Sequence, residues 1–164
     1  MLNTFATFGL REKRLQNEMI KIIKNPINFF EICRDRVESF TLFFKINGPE
    51  KTIFFGGEYI GKIVLPPRWP ERQPQLFMLT PNGKFNTDID LLRNLANWSP
   101  IMSLHSLLIS LTSYLTDEKP TDIFYYQVDT YNQDYKKLAE NSKKYNQRHY
   151  SNICEQLDLM NMLR

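Results

Sequence analysis

The sequence contains few cysteines, with only Cys33 and Cys154 among its 164 residues. Two thiols so far apart do not make a disulfide framework or a zinc site. We therefore expect a reducing compartment, the cytoplasm or the nucleus. We predict neither a metal nor a cofactor.

A long apolar run is also missing. The most apolar stretch, from Ile101 to Leu115, is interrupted by Ser, His and Thr, and it falls short of the roughly 20 residues that a membrane span needs. The first residues lack the apolar core of a secretory signal. The formal net charge of +3 is too small to indicate a nucleic-acid partner. We expect no membrane span in this chain and no nucleic-acid binding.

The remaining composition is that of a soluble folded domain. Hydrophobic residues make up 42% and charged residues 24% of the chain, which is typical of globular proteins. Twelve Phe and eight Tyr supply bulky core side chains. A chain of this length forms one domain that buries about 70% of its unfolded surface.

Hydrophobic periodicity predicts an α+β layout. Helical spacing indicates a helix over about residues 8–24, which Pro26 ends because its ring cannot continue the hydrogen-bond ladder. Period-two alternation and turn residues predict four short strands joined as an antiparallel meander, with helices on one face. The strands fall near 30–32, 40–46, 59–65 and 75–80, and the later helices near 102–115 and 130–149. We take residues 1–150 as the domain and 151–164 as a C-terminal tail.

The order of short motifs resembles the ubiquitin-conjugating enzymes. The matching segments, in family order, are KRLQNEM (13–19), GPE (48–50), FFGGEY (54–59), LPPRWPERQP (65–74), TPN (80–82), WSP (98–100) and DEKPTD (117–122). The resemblance covers about residues 9–150 and implies the ubiquitin-conjugating fold. The segment LTPNGKF looks most like the endoplasmic-reticulum-anchored branch, where Thr often replaces the family's usual His. If a C-terminal anchor had been truncated, the endoplasmic-reticulum surface would be the expected location.

The resemblance also shows where the family's nucleophile is expected. In the common spacing, the catalytic Cys follows the Asn of the TPN-type motif by eight residues and precedes the Trp of WSP by eight. From Asn82 and from Trp98, both counts end on Asp90. No cysteine lies anywhere between Cys33 and Cys154.

An aspartate at this position changes the chemistry that the resemblance implies. The family's carrier step needs a thiolate, which is intrinsically nucleophilic. Attack of a carboxylate on a thioester would yield an anhydride, which is less stable than the thioester. We therefore predict no carrier activity and a binding or adaptor role in ubiquitin or ubiquitin-like transfer. Cys33 and Cys154 lack the flanking pattern and are better interpreted as buried or incidental thiols.

Two further residues match polar groups of the family's active site. Asn82 matches the Asn that orders the active-site loop and is proposed to stabilise the oxyanion. Asp122 matches an acidic residue that positions the incoming lysine. Both also have structural explanations, because Asn82 suits a Pro-Asn-Gly turn and Asp122 suits a helix N-cap.

The candidate partner-binding residues lie on the first helix and on two loops. They are Arg11, Lys13, Arg14, Glu71, Pro100 and Ile101. The expected partners are ubiquitin or a ubiquitin-like protein, an active conjugating enzyme, or a ligase. For the basic cluster, a solvated helix face is the alternative.

Two other functions remain open at this stage. In the first, the protein is an active conjugating enzyme whose nucleophile was engineered to Asp90. In the second, it is a scaffold subunit that keeps the fold and has left the ubiquitin pathway.

Overall fold

The computed structural model describes residues 2–93, 98–116 and 135–162. Its sheet has four antiparallel strands in the order β1-β2-β3-β4, which confirms the predicted meander. The strands are β1 (Phe30–Arg34), β2 (Thr41–Asn47), β3 (Glu58–Val64) and β4 (Gln75–Met78).

Within the described ranges, four helices accompany the sheet. They are α1 (Leu2–Lys24), α2 (Leu104–Thr116), α3 (Tyr135–His149) and α4 (Ser151–Met162). Helix α1 begins earlier than predicted and ends, as predicted, just before Pro26. The first five residues of the helix predicted over 130–149 lie outside the described residues.

The main core lies between one sheet face and helices α1 and α2. Residues at alternate positions of β2, namely Leu42, Phe44 and Ile46, are fully buried on this face, as the alternation in the sequence predicts. Gly61 lies opposite Phe44 across the β2–β3 ladder. A Cβ on Gly61 would stand 2.2 Å from the Phe44 ring, so the glycine makes room for the aromatic side chain.

The prediction that helices cover only one face of the sheet is wrong. The opposite face has its own apolar cluster, in which Cys33 and Ile60 of the sheet pack with Ile153 and Leu157 of α4. The strict alternation of β2 predicts one buried face and gives no indication of the apolar residues on the other. The sheet is therefore enclosed between α1 and α2 on one side and α3 and α4 on the other.

Helix α3 is attached to the sheet by buried polar side chains. Ser142 Oγ accepts a hydrogen bond from Glu58 N at 2.9 Å, and Asn146 Nδ2 donates to Glu58 O at 2.8 Å. Asn146 Oδ1 also accepts from Thr80 Oγ1 at 2.5 Å. Because Ser142, Asn146 and Thr80 are all buried, these bonds fix the position of α3 along β3.

A buried carboxylate joins α1 to α2. The Glu18 side chain is fully buried, and its Oε2 accepts a hydrogen bond from Leu104 N, the first residue of α2, at 2.9 Å. Its Oε1 accepts from Arg14 Nε at 2.9 Å. An anion at a helix N-terminus is stabilised by the free amides and by the helix dipole. Glu18 thus fixes the start of α2 against α1.

Candidate functional site

Asp90 is half-buried beside strand β4, and its carboxylate is held by the backbone. Asp90 Oδ1 accepts hydrogen bonds from Leu76 N and from Leu92 N, both at 3.0 Å. The first of these amides belongs to β4 and the second to the residues just after Asp90. The carboxylate therefore caps two backbone amides, one of which belongs to the edge strand β4.

The residues that follow Asp90 are tied to the same edge. Leu91 N donates to Leu76 O at 2.8 Å, so Asp90 and Leu91 together bond both backbone groups of Leu76. Gln73 Nε2 donates to Leu92 O at 3.1 Å. Leu91 and Leu92 are buried in the main core. The segment is thus held by its backbone and by its apolar side chains at once.

Asn82 orders the loop that precedes Asp90. Its side chain is buried, and Oδ1 accepts from Lys84 N at 2.9 Å and from Phe85 N at 2.7 Å. Its Nδ2 donates to Thr80 O at 3.0 Å and to Phe85 O at 3.3 Å. These four bonds use the donors and acceptors of the side chain within its own turn. Its proposed vestigial role in catalysis stays a prediction, and Asp122 lies outside the described residues.

Both cysteines are buried and free. Burial raises the pKa of the Cys33 thiol to about 11. Burial, reinforced by the charge of Asp158, also raises the pKa of Cys154. Since the thiolate is the reactive form, neither side chain is suited to carry an acyl group at neutral pH.

We expect both cysteines to resist alkylation in the folded protein. With iodoacetamide at about pH 7.5, where a thiol of raised pKa is almost wholly protonated, intact-mass measurements should show no adduct on the native chain. The same treatment in denaturant should add two groups. Rapid labelling of Cys33 under native conditions would contradict its burial.

The predicted basic cluster on α1 is largely engaged within the protein. The Arg11 guanidinium lies over the Phe40 ring, 3.4 Å from its centroid, and donates to Leu65 O. Arg14 bonds Glu18 and also donates to Met102 O at 3.2 Å. Lys13 is exposed. Arg11 and Arg14 therefore hold the loops in place, and Lys13 faces solvent.

The two predicted loops meet beside the middle of α1. The bond from Arg14 to Met102 O anchors the segment that follows Ile101, and Trp98 Nε1 donates to Pro70 O at 2.8 Å. On the exposed side stand Pro100 and Ile101, the latter 86% exposed. Glu71 is also exposed, and the Arg68 guanidinium donates to its Oε2 at 2.7 Å. Arg14 thus joins α1 to the segment that carries Ile101, and Trp98 joins that segment to the loop that carries Glu71.

A shallow cleft of about 310 Å³ lies on the other face of the sheet. Thr87 and Asp88, three and two residues before Asp90, are among the residues that line it. Its lining also includes Lys62, Phe77, Leu79, Tyr145 and Tyr150. The Lys62 ammonium lies 5.3 Å from the Phe77 ring centroid, at cation–π distance. At the cleft, Tyr145 of α3 and Tyr150, which joins α3 to α4, lie next to the loop that carries Asp90.

Sequence reasoning missed Glu18 and the contact between Thr80 and Asn146. For Glu18 there was a signal, because a charged residue occupies the apolar stripe of α1 between Leu15 and Ile22. For Thr80 the signal was its own identity, because a Thr stands there where the family usually has a His. Its partner, Asn146, lies 66 residues away and could not be found without the fold.

Comparison with known proteins agrees with this architecture. The family model described as "Ubiquitin-conjugating enzyme" matches residues 14–151. The chain belongs to the ubiquitin-conjugating enzyme family. The finer likeness to one branch of that family, drawn from the LTPNGKF segment, stays a resemblance.

Three curated relatives illustrate the similarity. The chain is 31% identical over 116 residues, 66% of its own length, to "Ubiquitin-conjugating enzyme E2 J2" of Homo sapiens, and this match spans 44% of that protein. It is 32% identical over 139 residues to "Probable ubiquitin-conjugating enzyme E2 33" of Arabidopsis thaliana (82% of this chain, 56% of the relative). It is 32% identical over 147 residues to "Ubiquitin-conjugating enzyme E2 6" of Kluyveromyces lactis (86% of this chain, 56% of the relative).

The chain spans about half the length of these relatives. None of the helices in its described part is long and apolar enough to cross a membrane.

Proposed function

We propose that the protein is a catalytically inactive member of its family that acts as a binding or adaptor module in ubiquitin or ubiquitin-like transfer. The observation that carries this proposal is the geometry of Asp90. It stands at the expected nucleophile position, and its carboxylate accepts two backbone amides at 3.0 Å. The side chain there contributes to the fold and offers no thiol.

The chemistry of the remaining side chains supports the same proposal. A transfer intermediate needs an acyl acceptor that forms a bond of moderate reactivity, and a thiolate meets this requirement. A carboxylate at residue 90 would have to form a mixed anhydride. Cys33 and Cys154 are buried against the second sheet face, and each has a raised pKa. Acyl transfer through any of these three groups is therefore unfavourable.

The binding surface of this proposal consists of Lys13, Glu71, Pro100 and Ile101. Exposed apolar residues with a charged rim suit a protein interface. We propose ubiquitin, a ubiquitin-like protein, an active conjugating enzyme or a ligase as the partner. The free thiols favour a cytoplasmic location.

A charging assay tests the absence of carrier activity. We expect no reductant-sensitive adduct after incubation with activating enzyme, ATP and labelled ubiquitin, while an active conjugating enzyme in the same mixture charges normally. An adduct on the wild type would refute the proposal, and peptide mapping would identify the acceptor. An adduct on Asp90→Cys alone would assign the missing activity to this one position.

A binding experiment separates an adaptor from a scaffold that has left the pathway. Ubiquitin and an active conjugating enzyme would each be titrated into the labelled protein and followed by NMR. An adaptor should show shifts that cluster around Ile101, and Ile101→Asp should abolish them. Val37→Asp is the matched control, because Val37 is 89% exposed and lies in the β1–β2 loop. The absence of shifts with both proteins would favour the scaffold.

A further inference from the structure

Helix α3 presents a strongly basic face to solvent. Its buried side consists of Ala139, Ser142 and Asn146. Five exposed cations occupy the remaining surface, against one exposed carboxylate, Glu140. The cations are Lys136, Lys137, Lys143, Lys144 and Arg148. Helical geometry places Lys137, Lys144 and Arg148 almost opposite the buried side.

Exposed apolar side chains stand at the end of the sheet where α3 begins. Phe55 is 62%, Ile53 is 53% and Phe29 is 48% exposed. Two backbone bonds place Phe29 beside the β2–β3 turn: Asn47 N donates to Phe29 O at 2.9 Å, and the adjacent Gly48 N donates to Gly57 O at 2.8 Å. Where such side chains form a contiguous exposed patch, they mark an interaction site.

The β2–β3 turn exposes two apolar side chains. Phe54 points into the core and is 1% exposed, whereas its neighbours Ile53 and Phe55 face solvent. The Phe54 ring contacts the Tyr135 ring, with centroids 6.3 Å apart. Because Tyr135 is the first residue of α3, this contact puts Lys136 and Lys137 close to the turn.

The charges at the turn itself nearly cancel. Lys51 and Glu50 both stand in it and are exposed. The net positive charge of this surface therefore comes from α3. Lys143 lies 3.6 Å from Glu58 Oε1, yet its side chain remains 73% exposed, so it too can face an external anion.

We propose that the β2–β3 turn and α3 form a docking surface for an anionic lipid bilayer. Exposed apolar side chains can be buried at the boundary between the headgroups and the acyl chains of a bilayer. Anionic headgroups complement the lysines of α3. Charge complementarity with the exposed cations of α3 favours an anionic lipid surface as the partner. The proposal does not depend on the state of Asp90 or on the adaptor role.

Vesicle flotation with the full chain tests this proposal. We expect the protein to float with phosphatidylcholine vesicles that contain about 30% phosphatidylserine, and to stay in solution with phosphatidylcholine alone. Raising the salt concentration to about 0.5 M should release it, because screening weakens surface charge attraction. The absence of binding to the anionic vesicles at low salt would overturn the proposal.

Two pairs of variants locate the surface. Lys136→Glu with Lys144→Glu, and separately Ile53→Ser with Phe55→Ser, should each weaken binding at least about tenfold. The matched controls, Lys13→Glu with Arg36→Glu and Leu10→Ser with Val37→Ser, change exposed residues elsewhere and should leave most of the binding intact.

Other results would contradict the assignment. Equal losses in the test and control pairs would show that overall charge or hydrophobicity, and not this surface, determines binding. Retention of the wild type by polyglutamate or RNA through the same lysines, with no vesicle binding, would show that the basic face serves an acidic polymer. Circular dichroism of each variant would confirm that the fold is unchanged before the comparison is made.

Discussion

Replacing Glu18 by alanine should lower the free energy of unfolding by about 2 to 3 kcal/mol, because it removes a fully buried carboxylate that accepts the Leu104 amide and pairs with the partly exposed Arg14. The carboxylate joins Arg14 Nε to Leu104 N, each at 2.9 Å. Alanine leaves the Leu104 amide without its acceptor and Arg14 without its anion. It also opens a cavity where the carboxylate was.

Glu18→Gln separates the charge from the hydrogen bond. Its side-chain oxygen can still accept from Leu104 N, so we expect a smaller loss of about 1 to 2 kcal/mol. Glu155→Ala is the control, because Glu155 is exposed on α4 and its removal should change stability by less than about 0.5 kcal/mol. Urea unfolding curves give all three values. A Glu18→Ala loss below about 1 kcal/mol would contradict the assigned role.

Asp90→Ala should lower the free energy of unfolding by about 2 kcal/mol, because the Leu76 and Leu92 amides lose a shared acceptor in a partly buried site. Asp90→Asn keeps an oxygen in this position and should cost about 1 kcal/mol or less. Asp90→Cys offers only a weak acceptor and should resemble alanine in stability. These differences would distinguish a residue that supports the loop from one that is merely tolerated there.

The control for Asp90 is Asp88→Ala. Asp88 is exposed, two residues away in the same loop, and its replacement should leave stability within about 0.5 kcal/mol of the wild type. Hydrogen exchange of the Leu76 and Leu92 amides offers a local readout. Faster exchange in Asp90→Ala and unchanged exchange in Asp88→Ala are expected. Equal exchange in both variants would refute the capping role.

Much of the fold could be predicted because its signals are local. Alternation in residues 40–46 indicates β2, and Pro26 indicates the end of α1; both predictions are confirmed. The second covered face was missed, since residues 151–164, which supply Ile153 and Leu157, were interpreted as a tail. Helix α3 gave no signal either, because the polar residues that attach it, Ser142 and Asn146, do not enter a hydrophobic pattern. The face of the sheet on which each helix lies is determined by contacts between residues far apart in the sequence.

The sequence predicts the position of the candidate site but not the contacts that its residues make. Counting from Asn82 and Trp98 located Asp90, but no sequence pattern shows that a carboxylate accepts the amide of Leu76, 14 residues earlier. The interior roles of Arg11 and Arg14 were also missed. A cluster of cations in a sequence looks the same whether its members face solvent or reach backbone carbonyls.

The second sheet face has a practical consequence for choosing a fragment to express. The family match ends at residue 151, yet Ile153 and Leu157 cover Cys33 and Ile60 from beyond that point. A fragment cut at the edge of the match would leave two apolar sheet residues facing water. Recombinant work on this protein should therefore retain α4 through Met162, because this helix keeps the second face of the sheet away from water.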